Sequence, residues 1–324
     1  MKRMAFYDDR KLLIDIAHMY YEERATQEKI AQKCNISRSL VSKYLNRARD
    51  LGIVEIIIHD EIAHPYRSLE ESAKKMFGLK EIICISPTSQ NLLKKHLGMA
   101  AEKYLSRIIN NHSVIAVAAG TTVREVAKAF SSKVNLKTVT FVPLVGGLGV
   151  AHTEFQANVI CDIFAKQSGA NCVELHVPVV VDTIEAKRIF MEQKYVREGF
   201  ELAKKANIAL VGIGGEPVYS TMTQYYIEEN EHFIEENKDI VGDICYNFIT
   251  AEGKLYDCAW NQRVLTISLE DLQKIPTVIA VAGGKDRTDA IYAAIVGNLI
   301  DVLVTDADTL KRLIRRKKDV SDLC

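Results

Sequence analysis

The chain has 324 residues, more than the roughly 100 to 200 of one ordinary domain, so one small and one large domain is the natural expectation. Hydrophobic residues make up 48% and charged residues 26%, which excludes long disordered tracts. Lysine plus arginine and aspartate plus glutamate both number 42, so the body is neutral, which argues against a general polyanion binder.

The opening MKRMAFYDDR has no apolar stretch behind its basic residues, and no run of about 18 apolar residues occurs anywhere, so neither a secretory leader nor a membrane span is expected. Residues 9–21 place Leu12, Leu13, Ile16, Ala17 and Tyr20 at helical spacing. In TQEKIAQKCNISRSLVSKYLNRARDLG, Thr26 and Ser37 are N-cap candidates for two short helices. Only Cys34, Asn35 and Ile36 remain between them, with Asn35 suited to a left-handed turn. That pattern predicts a helix-turn-helix in which Ile30 and Cys34 mark the buried side of the first helix and Ile36, Val41, Tyr44 and Leu45 supply the shared core.

Between Ile36 and Arg49 there are four basic residues and no acidic one. The residues expected to meet double-stranded operator DNA are Gln27, Ser37, Arg38, Ser39, Ser42, Lys43 and Arg47, with the serines near phosphates or base edges, Arg38 forked onto guanine, and Lys43 and Arg47 on backbone phosphates. The bland alternative is a solvated basic face. Residues 53–59 are β-branched and read as the strand of a winged variant, and 65–77 as a helix joining two domains. The expected division is a DNA-binding domain over 1–60, a connecting helix within 61–78, and an effector and oligomerisation domain over 79–324.

From residue 81 onward, apolar runs of strand length alternate with amphipathic stretches: strands at 82–85, 114–118, 139–144, 173–177, 208–213, 278–282 and 302–305, with helices between them, one of them long and reaching 205. This predicts an α/β fold with a Rossmann-like, doubly wound, mostly parallel sheet. Ligands bind beyond the carboxyl ends of such strands, where four glycine turns occur. Gly120, Thr121 and Thr122 open a helix and can bind an anion; Gly146 and Gly147, the Gly212–Gly215 turn, and Gly284 with Lys285 complete the set. Tight βα turns also need glycine for steric reasons alone. Lys285 either binds phosphate or is solvated, and Asp243 either accepts from sugar hydroxyls or caps a turn. His152 is set aside as a loop histidine.

Neither G-x-G-x-x-G nor Walker spacing is formed, so no nucleotide cofactor is expected. The seven cysteines are irregularly spaced without paired histidines; they are expected to be reduced core residues of a cytoplasmic protein, with no metal.

Taken together, YYEERATQEKIAQKCNISRSLVSKYLNRARDLGIVEI, AAGTTVREVA, FVPLVGGLG, ANVICDIFA, VGDICYNFIT and VAGGKDRTDAIYAAIVGNLIDVLVTD resemble the SorC family of sugar-sensing transcription regulators over nearly the whole length. The resemblance implies a homotetrameric regulator whose effector domain is folded like sugar-phosphate isomerases and deaminases. It further implies phosphate at Gly120, Thr121, Thr122 and Lys285, and hydroxyls read near Asp243. Some members carry a basic residue just before the glycine pair, where this chain has Val145, so no Schiff base forms there. The region of Gln224 and Tyr225 is left unassigned. The function expected is repression or activation of a carbohydrate-catabolism operon under control of a small sugar, polyol or sugar-phosphate effector. The competing expectation, a sugar-phosphate isomerase with a DNA-binding appendage, lacks a clearly paired acid and base among Asp243, Asp286 and Asp289.

Overall fold

A computed structural model describes residues 10–51, 53–54, 65–131, 136–149, 153–219 and 237–322. The chain divides into two compact units, residues 1–63 and 64–324.

In the first unit, α1 (Arg10–Tyr21), α2 (Gln27–Cys34) and α3 (Arg38–Asp50) bury Leu13, Ile16, Ile30, Val41, Tyr44 and Leu45 against one another. Both expected caps form: the Thr26 hydroxyl accepts from the Lys29 N–H at 3.3 Å and the Ser37 hydroxyl from the Leu40 N–H at 3.2 Å. Asn35 stands between the helices at φ 51°, and its N–H reaches the last carbonyls of α2. After α3 the N–H groups of Ile53 and Val54 both donate to Ala48 O. The rest of the expected wing, 55–59, lies outside the described residues.

The second unit begins with α4 (Arg67–Phe77), the helix expected to join the domains. It packs on β1 (Glu81–Ile85), buries Ala73, and so belongs to the second unit rather than standing free. Then follow α5 (Gln90–Ile108), β2 (Val114–Val117), α6 (Thr121–Ala129), β3 (Thr140–Pro143), α7 (Ala157–Ser168), β4 (Asn171–Cys172), α8 (Ile184–Glu192), α9 (Lys194–Lys204) and β5 (Ile208–Val211). The chain continues through β6 (Ile213–Gly214), β7 (Gly242–Ile244), β8 (Asn247–Ile249), α10 (Ala259–Arg263), α11 (Leu269–Leu272), β9 (Thr277–Val281), α12 (Thr288–Val296), β10 (Val302–Asp306) and α13 (Ala307–Asp322).

Seven strands form one parallel sheet in the order β1-β10-β9-β5-β2-β3-β4, with register pairs such as Ala116↔Ala209 and Val304↔Val281. Helices cover both faces, which is why β5 and β10 are buried along their whole length and read as continuous apolar runs. From β2 the chain moves outward to β3 and β4, then returns to β5, β9 and β10 on the other side, so β2 and β5 flank the topological switch point.

Three expectations are corrected. The strand at 173–177 is not formed, because the Asn158 side chain satisfies both the N–H and the carbonyl of Leu175 in place of a ladder. The long helix reaching 205 is two helices, broken at Gln193, whose ψ of 132° is extended. Ile213 leaves the sheet and pairs with Ile244 in a small antiparallel sheet, β6-β7-β8, that alternation of long runs does not reveal. Cys84, Cys161, Cys245 and Cys258 are buried free thiols, while Cys34 and Cys172 are half-buried and also free. Among the described residues no helix is long and apolar enough to cross a membrane.

Candidate functional site

The first unit presents a cationic face. Val41, Tyr44, Leu45 and Ala48 of α3 turn inward, so the positions between them turn out: Arg38, Ser39 and Lys43 are exposed, and Ser42 and Arg47 half-buried. Ser37 and Ser39 hydroxyls lie 2.9 Å apart at the start of the helix, whose first turn holds no acid. Gln27, at the start of α2, lines one surface depression together with Arg38, Thr26 and Arg24. Two helix N-termini thus bring N–H groups, an amide and two guanidinium groups to one place, beside the Glu28 carboxylate, and the cations and N–H groups are suited to phosphate oxygens.

In the second unit, a small cleft of about 70 Å³ opens at the carboxyl ends of β2 and β5. Gly120, Thr121 and Thr122 lie on one wall, the Gly212–Gly215 turn on another, and Asp243, Tyr246 and Arg287 are among the residues that complete the lining. Gly120 has φ 131°, a backbone conformation that only glycine adopts freely, and its N–H is already given to Phe155 O at 2.8 Å. The donors facing the cleft are therefore the first-turn N–H groups of α6, which lack intrahelical acceptors and sit at the positive end of the helix.

Asp243 is placed by the β7–β8 turn, in which Cys245 and Tyr246 both take positive φ, 51° and 61°. Its carboxylate accepts from the Tyr246 N–H at 3.2 Å. Burial pushes the carboxyl up to about 6, and the Tyr246 N–H and the Arg287 charge only partly oppose it. The cleft thus combines helix N–H donors and a guanidinium for an anion with a shielded carboxyl group for hydroxyls.

Not every expected residue meets there. Lys285 is exposed and does not line the cleft; the half-buried cation that does is Arg287, two residues further along the same 3-10 turn. Gly284, at φ 100°, gives its N–H to Asp306 Oδ2 at 3.1 Å and to Thr309 Oγ1 at 2.8 Å, which fixes that turn. Gly146 and Gly147 do not line this cleft: the Gly147 N–H donates to Val177 O, and a Cβ on Gly146 would strike the Pro178 carbonyl. His152, Gln224 and Tyr225 lie outside the described residues. Sequence reasoning missed Arg287 and Asp306; the KDR triplet and the buried aspartate ending β10 were the available signals. Among the described residues no cluster of side chains suits a metal ion.

The sugar-binding domain family Sugar-bind matches residues 63–315. The chain belongs to this family. A winged helix-turn-helix DNA-binding family matches residues 9–55. The deoxyribonucleoside regulator of Bacillus subtilis is 29% identical over 314 residues, 95% of this chain and 98% of its own. The sorbitol operon regulator of Klebsiella pneumoniae is 27% identical, covering 95% and 99%. Among solved structures, the full-length sorbitol operon regulator SorC from Klebsiella pneumoniae aligns with a TM-score of 0.71 at 25% identity over 95% of this chain and 99% of its own. A DeoR family transcriptional regulator from Listeria monocytogenes aligns at 0.70 and 30% identity over 77% of this chain and 100% of its own. The chain is accordingly a SorC-type sugar-binding transcription regulator with an N-terminal helix-turn-helix, and the isomerase reading finds no support among these relatives.

Proposed function

We propose that this sugar-binding regulator is a cytoplasmic homotetramer that controls a carbohydrate-catabolism operon in response to a phosphorylated sugar or polyol. The reading rests on the meeting of the α6 N-terminus with Arg287 and Asp243 in one cleft at the switch point. The phosphate is held by the first-turn N–H groups and hydroxyls of Thr121 and Thr122, with Arg287 rather than Lys285 as the cation. Asp243 accepts from a hydroxyl of the same ligand. That the similar proteins are named for sorbitol and for deoxyribonucleosides supports a polyhydroxylated effector class. Gln27, Ser37, Arg38, Ser39, Ser42, Lys43 and Arg47 form the operator-facing surface, α3 entering the major groove. Effector binding changes the arrangement of the subunits and thereby the spacing at which two α3 helices are presented.

A thermal-shift screen of the full chain against matched pairs of free and phosphorylated sugars and polyols tests this. A ligand at about 100 times its dissociation constant stabilises by about 2.7 kcal/mol. The expected result is a shift with one phosphorylated compound, lost in Arg287→Ala and kept in Lys285→Ala. A shift that survives Arg287→Ala, or one given equally by the unphosphorylated partner, overturns the phosphate assignment.

A further inference from the structure

The C-terminal helix α13 carries more positive charge than its packing or its dipole accounts for. Six of the eight residues at 311–318 are lysine or arginine and none is acidic, in a chain of zero net charge. The helix buries Leu310 and Leu313 and packs on α4, α12, β1 and β10, which leaves Lys311, Arg315 and Lys318 exposed along one face. Cations in the last turn of a helix are favoured by its dipole, but the last turn here contains none and carries Asp319 and Asp322 instead.

The spacing is costly to the helix itself. Lys311 and Arg315, Arg312 and Arg316, and Arg315 and Lys318 are like-charge pairs at i,i+4 or i,i+3. Two acids relieve part of this: Asp308 lies 3.9 Å from Lys311, and Asp289 pairs with Arg316, which also stacks over Tyr292 at 4.9 Å. Arg315 and Lys318 form no ion pair among the described residues. A surface that concentrates cations at the expense of its own helix fits a polyanion. From Lys311 to Lys318 the helix rises about 10 Å, and duplex DNA offers about six phosphate charges over that length.

We propose that this face of α13 is a second, sequence-independent contact surface for the phosphate backbone of duplex DNA. The proposal rests on the DNA-binding reading of the chain, since duplex DNA is the polyanion for which the first unit already supplies a reader. Lysine and arginine side chains on an exposed helix face release counterions from the backbone without reading bases, so the surface adds affinity and salt dependence and no sequence preference.

The test uses the full chain and a fluorescent duplex of arbitrary sequence, titrated from about 50 to 200 mM salt. Lys311→Gln combined with Arg315→Gln and Lys318→Gln is expected to weaken binding at least tenfold at the lowest salt and to make the log–log salt slope shallower by about 2 to 3. Its melting temperature should be no lower than the parent's, because all three side chains are exposed and two like-charge pairs are removed, and Arg315→Glu should weaken binding more than Arg315→Gln. An unchanged salt slope in the triple variant overturns the proposal. So does tighter binding of phosphatidylserine vesicles than of the duplex. Arg38→Ala with Lys43→Ala separates the two readings: if it weakens binding while the α13 variant does not, only the α13 surface falls. If it has no effect while the α13 variant does, the α13 surface stands and the assignment of α3 falls.

Discussion

Gly214 and Asp243 face each other across β6 and β7, and the Asp243 carboxylate lies where a side chain on Gly214 would begin. The glycine is therefore a requirement of the carboxylate and not of the backbone turn. Gly214→Ala is expected to displace the carboxylate from the cleft, cost about 1 to 3 kcal/mol by overpacking, and reduce effector-induced stabilisation. Urea unfolding with and without ligand measures both. A variant that keeps parental stability and ligand response would show that Asp243 has room to move.

The buried Asp243 carboxyl makes a pH prediction. Its folded-state value of about 6 lies above the ordinary 3.8, so between those limits the folded chain holds more protons than the unfolded one. Stability contributed by this group is complete below about 4 and falls as pH rises to about 6, by at most about 3 kcal/mol. Asp243→Asn retains an oxygen to accept from Tyr246 and removes the titration. It should therefore gain stability relative to the parent at pH 7 to 8 and lose that advantage near pH 4, as followed by urea midpoints across the range.

Asp306 ends β10 and holds the turn that carries Arg287. One oxygen accepts from the Asp308 and Thr309 N–H groups at 3.1 and 2.9 Å, the other from the Gly284 N–H at 3.1 Å and the Thr309 hydroxyl at 2.6 Å. Asp306→Ala leaves these buried donors without their acceptor and is expected to cost about 2 to 4 kcal/mol. Protection of the Gly284 amide from hydrogen exchange should fall with it. Parental protection in the variant would mean that the turn is held by Thr309 alone.

The helix-turn-helix could be read from residues 26–51 because its signals are local: two hydroxyl caps, one left-handed asparagine and an apolar period that all agree. The parallel sheet could be read from its apolar runs, since burial on both faces removes alternation. The small β6-β7-β8 sheet could not, because its strands are two or three residues long and its turn places cysteine and tyrosine, not glycine or asparagine, at positive φ. The Gly284-Lys285 turn and the family resemblance pointed to Lys285 as the cation, whereas after the 3-10 turn from Lys285 to Arg287 it is Arg287 that lines the cleft. Gly146 and Gly147 form a motif that looks like a binding turn, and close approach to residues 177 and 178 gives it a steric reason that the sequence alone does not show.

Asn35 and Ser37 set the angle between α2 and α3 by different means, and substitution separates them. Asn35 occupies φ 51°, where alanine pays about 1 kcal/mol and glycine nothing steric. Ser37 satisfies the Leu40 N–H, so Ser37→Ala costs about 1 kcal/mol through the lost cap. Asn35→Gly should then leave DNA affinity near the parental value, while Asn35→Ala and Ser37→Ala both lower the unfolding midpoint. Ser37→Ala should in addition weaken duplex binding, because the same hydroxyl lies on the DNA-facing end of α3 beside Ser39. Equal affinity of Ser37→Ala and the parent, measured well below the unfolding temperature, would confine Ser37 to capping and leave the serine contacts to Ser39 and Ser42.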